Sequence, residues 1–344
     1  MKKITKLLNM LVATALVIGA VGCGNSTATN AGAEAGQVET TEASNNVENG
    51  ENYKIGVIQL VEHAALDATY EGFVDGLKEA GLEVGKNITI DYQNAQGDQS
   101  NCQTIATKLV NDANDLILAI ATPAAQAVAN TTKDIPILVT AITDPADSKL
   151  VASNEVPGGN VSGTSDLTPV KEQIALIPQI VPEAKTVGLV YCSSEANSKF
   201  QIEIAKEAAE ALGLQTVEAT VSNSNEIQQV LQSLVGKVEA IYIPTDNMLA
   251  AGMATVAQVT TPAGIPVVVG EEGMVTKGGT ITYGINYYDL GKLTAAQAVA
   301  ILKDGKKPAE MPIEYSSAYN LVINEEAAKQ MGMTLPQELL DQAK

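Results

Sequence analysis

Small polar side chains and a carboxylate directly follow one short apolar stretch, and they are well placed to do chemistry. Residues 241–243 read as a buried strand that runs into Pro244 and then into Thr245, Asp246 and Asn247. These three residues could cap a helix that starts after them, because their side-chain oxygens can accept hydrogen bonds from its free N–H groups. Alternatively, the strand end points into a cleft in which Asp246 contacts a ligand.

Other predicted strands in both halves of the chain also end in polar residues. In open parallel sheets, ligands bind at the carboxyl ends of the strands, where loops and helix N-termini converge. Taken singly, each of these residues is also explained as a cap or turn residue; together they indicate a binding site. The candidate ligand-binding residues are Gln59, His63, Ala64, Thr122, Pro123, Thr143, Asp144, Ser194, Asn197, Thr245, Asp246, Asn247 and Glu271.

The types of these residues suit a ligand that carries both a positive and a negative group. All 21 basic residues of the chain are lysine, so no arginine can clamp a carboxylate. Helix N-termini carry free N–H groups and a partial positive charge, and they can hold a carboxylate instead. Asp144, Asp246 or Glu271 could hold an ammonium. This combination predicts a zwitterion such as an amino acid.

Catalytic and metal-binding motifs are not recognisable in the sequence. His63 is the single histidine, and no Gly-x-Ser-x-Gly or Gly-x-Gly-x-x-Gly motif occurs. The stretch 81–87 resembles a phosphate-binding loop but has the wrong glycine spacing and no Ser or Thr after Lys86. We therefore expect no enzyme activity, no catalytic residue, no cofactor and no metal. Cys102 and Cys192 are expected to be small buried residues, with a disulfide between them as the alternative.

The N-terminus indicates export and anchoring. Three lysines precede an apolar run, and small residues lead to Cys23, so residues 1–22 are predicted to be a signal peptide. Small residues before a cysteine resemble the bacterial lipobox, which predicts that Cys23 is lipidated. Residues 23–52 lack apolar periodicity and are predicted to form a flexible tether. We expect a monomer anchored by lipid to the extracytoplasmic face of the cell membrane.

The formal charge of −19 argues against nucleic acid as a partner, because an acidic surface repels the phosphate backbone.

Apolar strands alternate with amphipathic helices along the rest of the chain, which is typical of a parallel α/β sheet. The pattern occurs twice: residues 55–57 match 187–189, and residues 135–137 match 265–267 at nearly the same spacing. This predicts two similar doubly wound lobes joined by a multi-strand hinge. We assign residues 53–163 and 286–312 to lobe 1 and residues 164–285 and 313–344 to lobe 2, with crossings near Gly163, Ile285 and Pro312.

Seven short motifs resemble those of the tryptophan/tyrosine-type (TrpX-like) ABC-transporter substrate-binding lipoproteins. They are EHAALD at 62–67, TPAAQ at 122–126, TDP at 143–145, SEANS at 194–198, PTDN at 244–247, GINYYDLG at 284–291 and NEEAA at 324–328. The resemblance covers roughly residues 53–336. It implies the periplasmic-binding-protein type I fold and a receptor whose lobes close on a small solute. The receptor would deliver this solute to a membrane permease.

The function expected from these features is extracytoplasmic binding of a small zwitterionic solute for an ABC importer. Some members of the family bind aromatic amino acids, and an aromatic ligand here would stack on a tyrosine, because the chain has no Trp and only two Phe. A receptor for a sugar or a nucleoside, a sensory binding module, and a secreted α/β enzyme are the alternatives.

Overall fold

The structure of the protein, a computed structural model, describes residues 52–343 and contains two six-stranded sheets. The predicted signal peptide, Cys23 and the tether up to residue 51 lie outside the described residues.

The first sheet has the strand order β11-β5-β4-β3-β1-β2, and all of its strand pairs are parallel. Strand β1, next to the edge strand β2, pairs with both β2 and β3, so that Val57 lies between Tyr92 and Leu118. The strands of this sheet are β1 Tyr53–Gln59, β2 Ile88–Asn94, β3 Leu116–Ile120, β4 Ile137–Ile142, β5 Val161–Ser165 and β11 Glu314–Tyr315.

The second sheet repeats this plan in the order β12-β10-β9-β8-β6-β7, with only the edge strand β12 antiparallel to its neighbour. We call the first sheet with its helices lobe 1 and the second sheet with its helices lobe 2. The strands of the second sheet are β6 Thr186–Cys192, β7 Gln215–Val221, β8 Ala240–Ile243, β9 Val267–Val269, β10 Ile281–Gly284 and β12 Asn320–Ile323.

Helices cover the sheets, because crossover connections between parallel strands place them on the faces. The central strands are consequently buried on both sides: every residue of β3, β4, β8 and β9 is buried. The helices are α1 Ala64–Glu79, α2 Gln99–Asn111, α3 Thr122–Thr131, α4 Val170–Ile180, α5 Ala196–Ala211, α6 Ile227–Leu234, α7 Asn247–Ala251, α8 Met253–Ala263, α9 Glu272–Thr276, α10 Tyr287–Leu302, α11 Glu325–Gln330 and α12 Gln337–Gln342.

The chain passes from one sheet to the other after Ser165, after Gly284 and after Tyr315. Residues 164–165 and 314–315, which the sequence assigned to lobe 2, pair within the sheet of lobe 1. The predicted glycine-rich interruption at 158–164 contains strand β5. Gly163 in this strand has φ 142°, and a Cβ there would lie 1.9 Å from the carbonyl oxygen of Val139, so that only glycine fits.

Helices α1 and α10 pack closely in lobe 1, and this contact places two residues at the cleft. A Cβ on Gly72 would lie 2.0 Å from the carbonyl oxygen of Tyr288, and one on Gly291 would lie 2.0 Å from that of Thr69. The two helix backbones therefore approach each other directly. Both helices begin at the cleft, with His63 as the N-cap of α1 and Tyr287 as the first residue of α10.

Candidate functional site

A small cavity lies between the lobes, where the carboxyl ends of the strands of both sheets meet. Each lobe contributes six residues. Lobe 1 supplies His63, Leu66, Ala141, Thr143, Asp166 and Tyr287, and lobe 2 supplies Asn197, Thr245, Asp246, Asn247, Ala250 and Glu271.

The two walls of this cavity contact each other directly, so the lobes are closed. His63 Nε2 lies 3.3 Å from Asn247 Oδ1, and the hydroxyls of Thr143 and Thr245 are 3.3 Å apart. Gln201, behind the wall of lobe 2, donates from Nε2 to Thr143 Oγ1 at 3.2 Å and to Thr245 Oγ1 at 2.6 Å. The space left for the centre of a water molecule is about 10 Å³.

Three buried acceptor atoms on the residues that line the cavity have no hydrogen-bond partner in the described part of the chain. They are His63 Nδ1, Asp166 Oδ1 and Asn197 Oδ1. An unpartnered buried polar atom is unfavourable by roughly 1–3 kcal/mol, and native proteins seldom retain several of them together. Three around one cavity indicate a site shaped for a ligand that brings hydrogen-bond donors.

His63 is a neutral acceptor in this arrangement. Burial lowers its pKa to about 4, and the hydrogen bond to Asn247 only partly opposes this shift. Asn247 presents its carbonyl oxygen, so the Nε2 of His63 carries the proton and donates. Nδ1 is then the unprotonated nitrogen.

Two carboxyl groups at the cavity are held in an environment that disfavours their charge. Burial raises the pKa of Asp166 to about 6 and that of Glu271 to about 7. The Tyr287 hydroxyl donates to Asp166 Oδ2 at 2.8 Å, and Glu271 caps helix α9 by accepting from Gly273 N at 2.5 Å. A cation entering the cavity would favour the ionised form of both groups.

Asp246 lines the cavity, but its oxygens are occupied by lobe 2 itself. Oδ1 accepts from Leu249 N at 2.9 Å, and Oδ2 accepts from Cys192 N at 2.6 Å and from Ser198 Oγ at 2.7 Å. The side chain therefore caps helix α7 and ties it to the end of β6. The sequence left two interpretations of this strand end, and the hydrogen bonds of Asp246 agree with the capping role.

Six other candidate residues lie outside the central cavity. Gln59 is fully buried and donates to Val61 O and Asp67 Oδ1, whereas Asp144 accepts from Ala146 N and Asp147 N in a turn. Thr122 is the first residue of α3, and its buried hydroxyl has no partner in residues 52–343. The other three line two wider clefts beside the cavity: Ala64 in one of about 520 Å³, and Pro123 and Ser194 in one of about 580 Å³.

Sequence reasoning missed Asp166, Tyr287, Gln201 and Glu195. Asp166 follows β5 directly, and the rule that polar residues at strand ends bind ligands would have found it, had the glycine-rich stretch been recognised as a strand. Gln201 and Glu195 lie on or beside α5 and do not line the cavity but form hydrogen bonds to residues of its wall. The motif SEANS contains Glu195 but does not indicate this role, and no sequence signal indicates Gln201.

Residues 52–343 contain no group of three or more His, Cys, Asp and Glu side chains placed to hold a metal ion. Cys102 and Cys192 are free and buried, and burial raises the pKa of both thiols. Over the same residues, no helix has the length and apolar character needed to cross a bilayer.

A family model described as ABC transporter substrate binding protein matches residues 54–344. A tyrosine-binding protein from Clostridioides difficile strain R20291 is 39% identical over 334 residues, which cover 97% of this chain and 94% of the relative. Among solved structures, a conserved domain protein from Vibrio cholerae is 40% identical with a TM-score of 0.84, covering 86% of this chain and 99% of that one.

Two further structures bear on the closed state. An ABC domain from Streptococcus pneumoniae in complex with L-Trp is 41% identical with a TM-score of 0.82, covering 85% of this chain and 99% of that one. A ligand-free, open substrate-binding protein with adhesive properties from Clostridium difficile is 46% identical, but its TM-score is only 0.65, with 85% and 98% covered. The better superposition on the complex agrees with lobes that contact each other.

The comparisons confirm the periplasmic-binding-protein type I architecture, which is shared with solute-binding proteins of much lower identity. The relatives are substrate-binding proteins rather than enzymes; such proteins bind small ligands outside the cytoplasm and work with ABC permeases. This chain therefore belongs to the family of ABC transporter substrate-binding proteins.

Proposed function

We propose that this chain binds an aromatic L-amino acid between its lobes and delivers it to an ABC permease, from a lipid anchor at Cys23. The observation that carries the proposal is the set of three unpartnered acceptors at the cavity: His63 Nδ1, Asp166 Oδ1 and Asn197 Oδ1. An ammonium has three N–H donors and a positive charge. It would supply a partner for each acceptor and favour the ionised form of Asp166.

The ligand's carboxylate would be held without arginine, in lobe 1. Helices α1 and α3 begin at the cleft, and neither has an N-cap side chain that accepts from its free N–H groups. The buried, unpartnered hydroxyl of Thr122 lies at the start of α3 and adds a donor. Free N–H groups and a hydroxyl at a helix N-terminus are well suited to an anion.

The side chain of the ligand would extend into the cleft of about 580 Å³ beside the cavity. Leu60, Val61, Pro123 and Met248 line part of this cleft and supply apolar contacts from both lobes. Tyr287 is the tyrosine that lines the cavity, and it does not line this cleft. An aromatic ligand is also supported by two relatives, the tyrosine-binding protein and the domain in complex with L-Trp.

The test is isothermal titration calorimetry and thermal melting with matched ligands. L-tyrosine and L-tryptophan are expected to bind and to raise the melting temperature, because a ligand of the folded state stabilises it. The deamino analogue 3-(4-hydroxyphenyl)propanoate should bind far more weakly, since it leaves three acceptors unpartnered. Tyramine lacks the carboxylate, so its affinity measures how much the carboxylate's contacts in lobe 1 contribute to binding.

No binding of any L-amino acid would overturn the proposal. Binding from a panel of sugars and nucleosides would then identify the alternative receptor, and release of a product from any bound compound would favour an enzyme. Reconstituted transport with the partner permease distinguishes a transport receptor from a sensory module.

A further inference from the structure

We propose that Glu195, which lines the cleft of about 580 Å³ but not the central cavity, is a positioning residue that orients the two asparagines of lobe 2 so that acceptors face the ligand. Glu195 is 4% exposed and is the N-cap residue of α5, yet its side chain caps no backbone N–H group of that helix. It reaches instead toward Asn197 and the start of α7.

Every polar contact of the Glu195 side chain is with a donor. Oε2 accepts from Asn247 Nδ2 at 2.5 Å, from Asn247 N at 3.2 Å and from Asn197 Nδ2 at 3.2 Å. Oε1 accepts from Met248 N at 3.1 Å. One carboxylate therefore holds both asparagine amides and the first N–H groups of α7.

This arrangement determines which end of each amide faces outward. A flip of Asn197 or Asn247 would place an amide oxygen against the carboxylate, and two acceptors at that distance repel each other. Asn197 Nδ2 is held further by Thr245 O at 3.0 Å. The Oδ1 of Asn197 is thereby left facing the cavity, and the Oδ1 of Asn247 faces His63.

The orientation of Asn247 extends the effect across the cleft. Because Asn247 offers an oxygen to His63 Nε2 at 3.3 Å, the proton of the neutral imidazole resides on Nε2. Nδ1 then becomes the acceptor at the cavity. By orienting Asn197 and Asn247, Glu195 makes Asn197 Oδ1 and His63 Nδ1 acceptors at the cavity. The third acceptor, Asp166 Oδ1, does not depend on Glu195.

The inference rests on the proposed function only in assigning these acceptors to an ammonium; the orientation of the amides can be measured without any ligand. The experiment uses ¹⁵N-labelled full-length protein. His63 is the single histidine of the chain, so its ring nitrogen signals need no separation from others.

In wild-type protein with L-tyrosine or L-tryptophan bound, we expect the Nε2-protonated tautomer of His63. Glu195→Gln replaces one of the two carboxylate oxygens by an NH2 group. Because both oxygens accept hydrogen bonds, the NH2 group opposes a donor in either orientation of the glutamine amide. The variant should shift His63 toward the Nδ1-protonated tautomer and weaken ligand binding roughly 10- to 100-fold, as expected for loss of hydrogen bonds to a charged group.

The double variant Glu195→Gln, Asn247→Asp tests the mechanism by rescue. The introduced amide N–H can donate to the introduced carboxylate, which again offers an oxygen to His63. We expect the Nε2-protonated tautomer and most of the affinity to return. Glu239→Gln is the matched control, because Glu239 also accepts from two backbone N–H groups, those of Lys185 and Thr186, but away from the cavity.

Wild-type protein supplies a readout that no folding defect can obscure. The Nδ2 protons of Asn197 and Asn247 should exchange slowly with water even without ligand, because all their Glu195 contacts lie within lobe 2. Rapid exchange would overturn the inference, as would weakened binding in Glu195→Gln with an unchanged tautomer. If wild-type protein binds no amino acid, the proposed function fails, while the exchange rates still decide the role of Glu195.

Discussion

One buried carboxylate oxygen, Oδ1 of Asp166, has no hydrogen-bond partner among residues 52–343, although Oδ2 of the same group accepts from Tyr287. Asp166→Asn should weaken binding of L-tyrosine or L-tryptophan roughly 10- to 100-fold at pH 7.5, because the ammonium loses its charged partner. The same variant should unfold at an unchanged or higher urea concentration, since a buried, disfavoured charge is removed.

Calorimetry and urea denaturation check these two effects together. Asp134→Asn, on an exposed residue outside the cavity, is the control and should change neither measurement. A marked loss of stability with unchanged affinity would mean that Asp166 holds the fold rather than the ligand.

The buried acids also predict opposite pH dependences for folding and binding. The pKa of Glu271 rises from 4.5 to about 7 on folding, and that of Asp166 rises from 3.8 to about 6. Between about pH 4 and 7 the folded state therefore binds more protons than the unfolded state, and these groups lower the stability as the pH rises. An ammonium prefers their ionised forms, so its affinity should increase over the same range.

Thermal melting at pH 5.5, 6.5 and 7.5, with and without L-tyrosine, measures both trends. The ligand-induced increase in melting temperature should grow with pH, and Asp166→Asn should reduce this growth. A ligand-induced increase that is larger at pH 5.5 than at pH 7.5 would contradict the placement of the ammonium beside Asp166.

The start of helix α7 is held by one residue, Asp246. Asp246 accepts from Leu249 N within the helix and from Cys192 N and Ser198 Oγ on neighbouring elements. Asp246→Ala should lower the free energy of unfolding by about 2–4 kcal/mol, because three buried donors lose their acceptor. Urea denaturation without ligand measures this change.

Asn324→Ala is the comparison, because Asn324 accepts from a single N–H group, that of Ala327 in α11, and donates once, to Val275 O. Its loss should cost only about 1–2 kcal/mol. Equal effects of the two variants would show that the hydrogen bonds from Cys192 N and Ser198 Oγ to Asp246 contribute little to the free energy of unfolding.

Anchoring concerns the molecule as a whole, and it depends on a residue outside the described part of the chain. If Cys23 carries the lipid, Cys23→Ala should release the protein from the membrane fraction into the medium or the soluble extracytoplasmic fraction. The released protein should bind the same ligand with the same affinity, since the cavity is built from residues 63–287. Fractionation with immunoblotting and calorimetry measure both. Retention of the variant in the membrane fraction would contradict lipidation at this cysteine.

Much of the architecture was predictable from the sequence, because alternating apolar strands and amphipathic helices specify a parallel α/β sheet locally. The repeat of this pattern indicated two lobes, and the polar residues at strand ends indicated where the cavity lies. Strands β5 and β11 and helices α4, α8, α9 and α12 were missed. The single glycine of β5, Gly163, and its serine and threonine residues interrupt the apolar pattern, although the close approach to Val139 requires glycine at this position.

The sequence by itself therefore determined the family fold, the cleft and the side chains near it, through patterns that operate over a few residues. Only the tertiary structure decided what each side chain does. Asp246 and Asp166 both follow strands, but Asp246 is surrounded by donors from β6, α5 and α7, whereas Asp166 keeps one oxygen free. Hydrogen-bond partners from distant parts of the chain made that difference, and no local pattern encodes them.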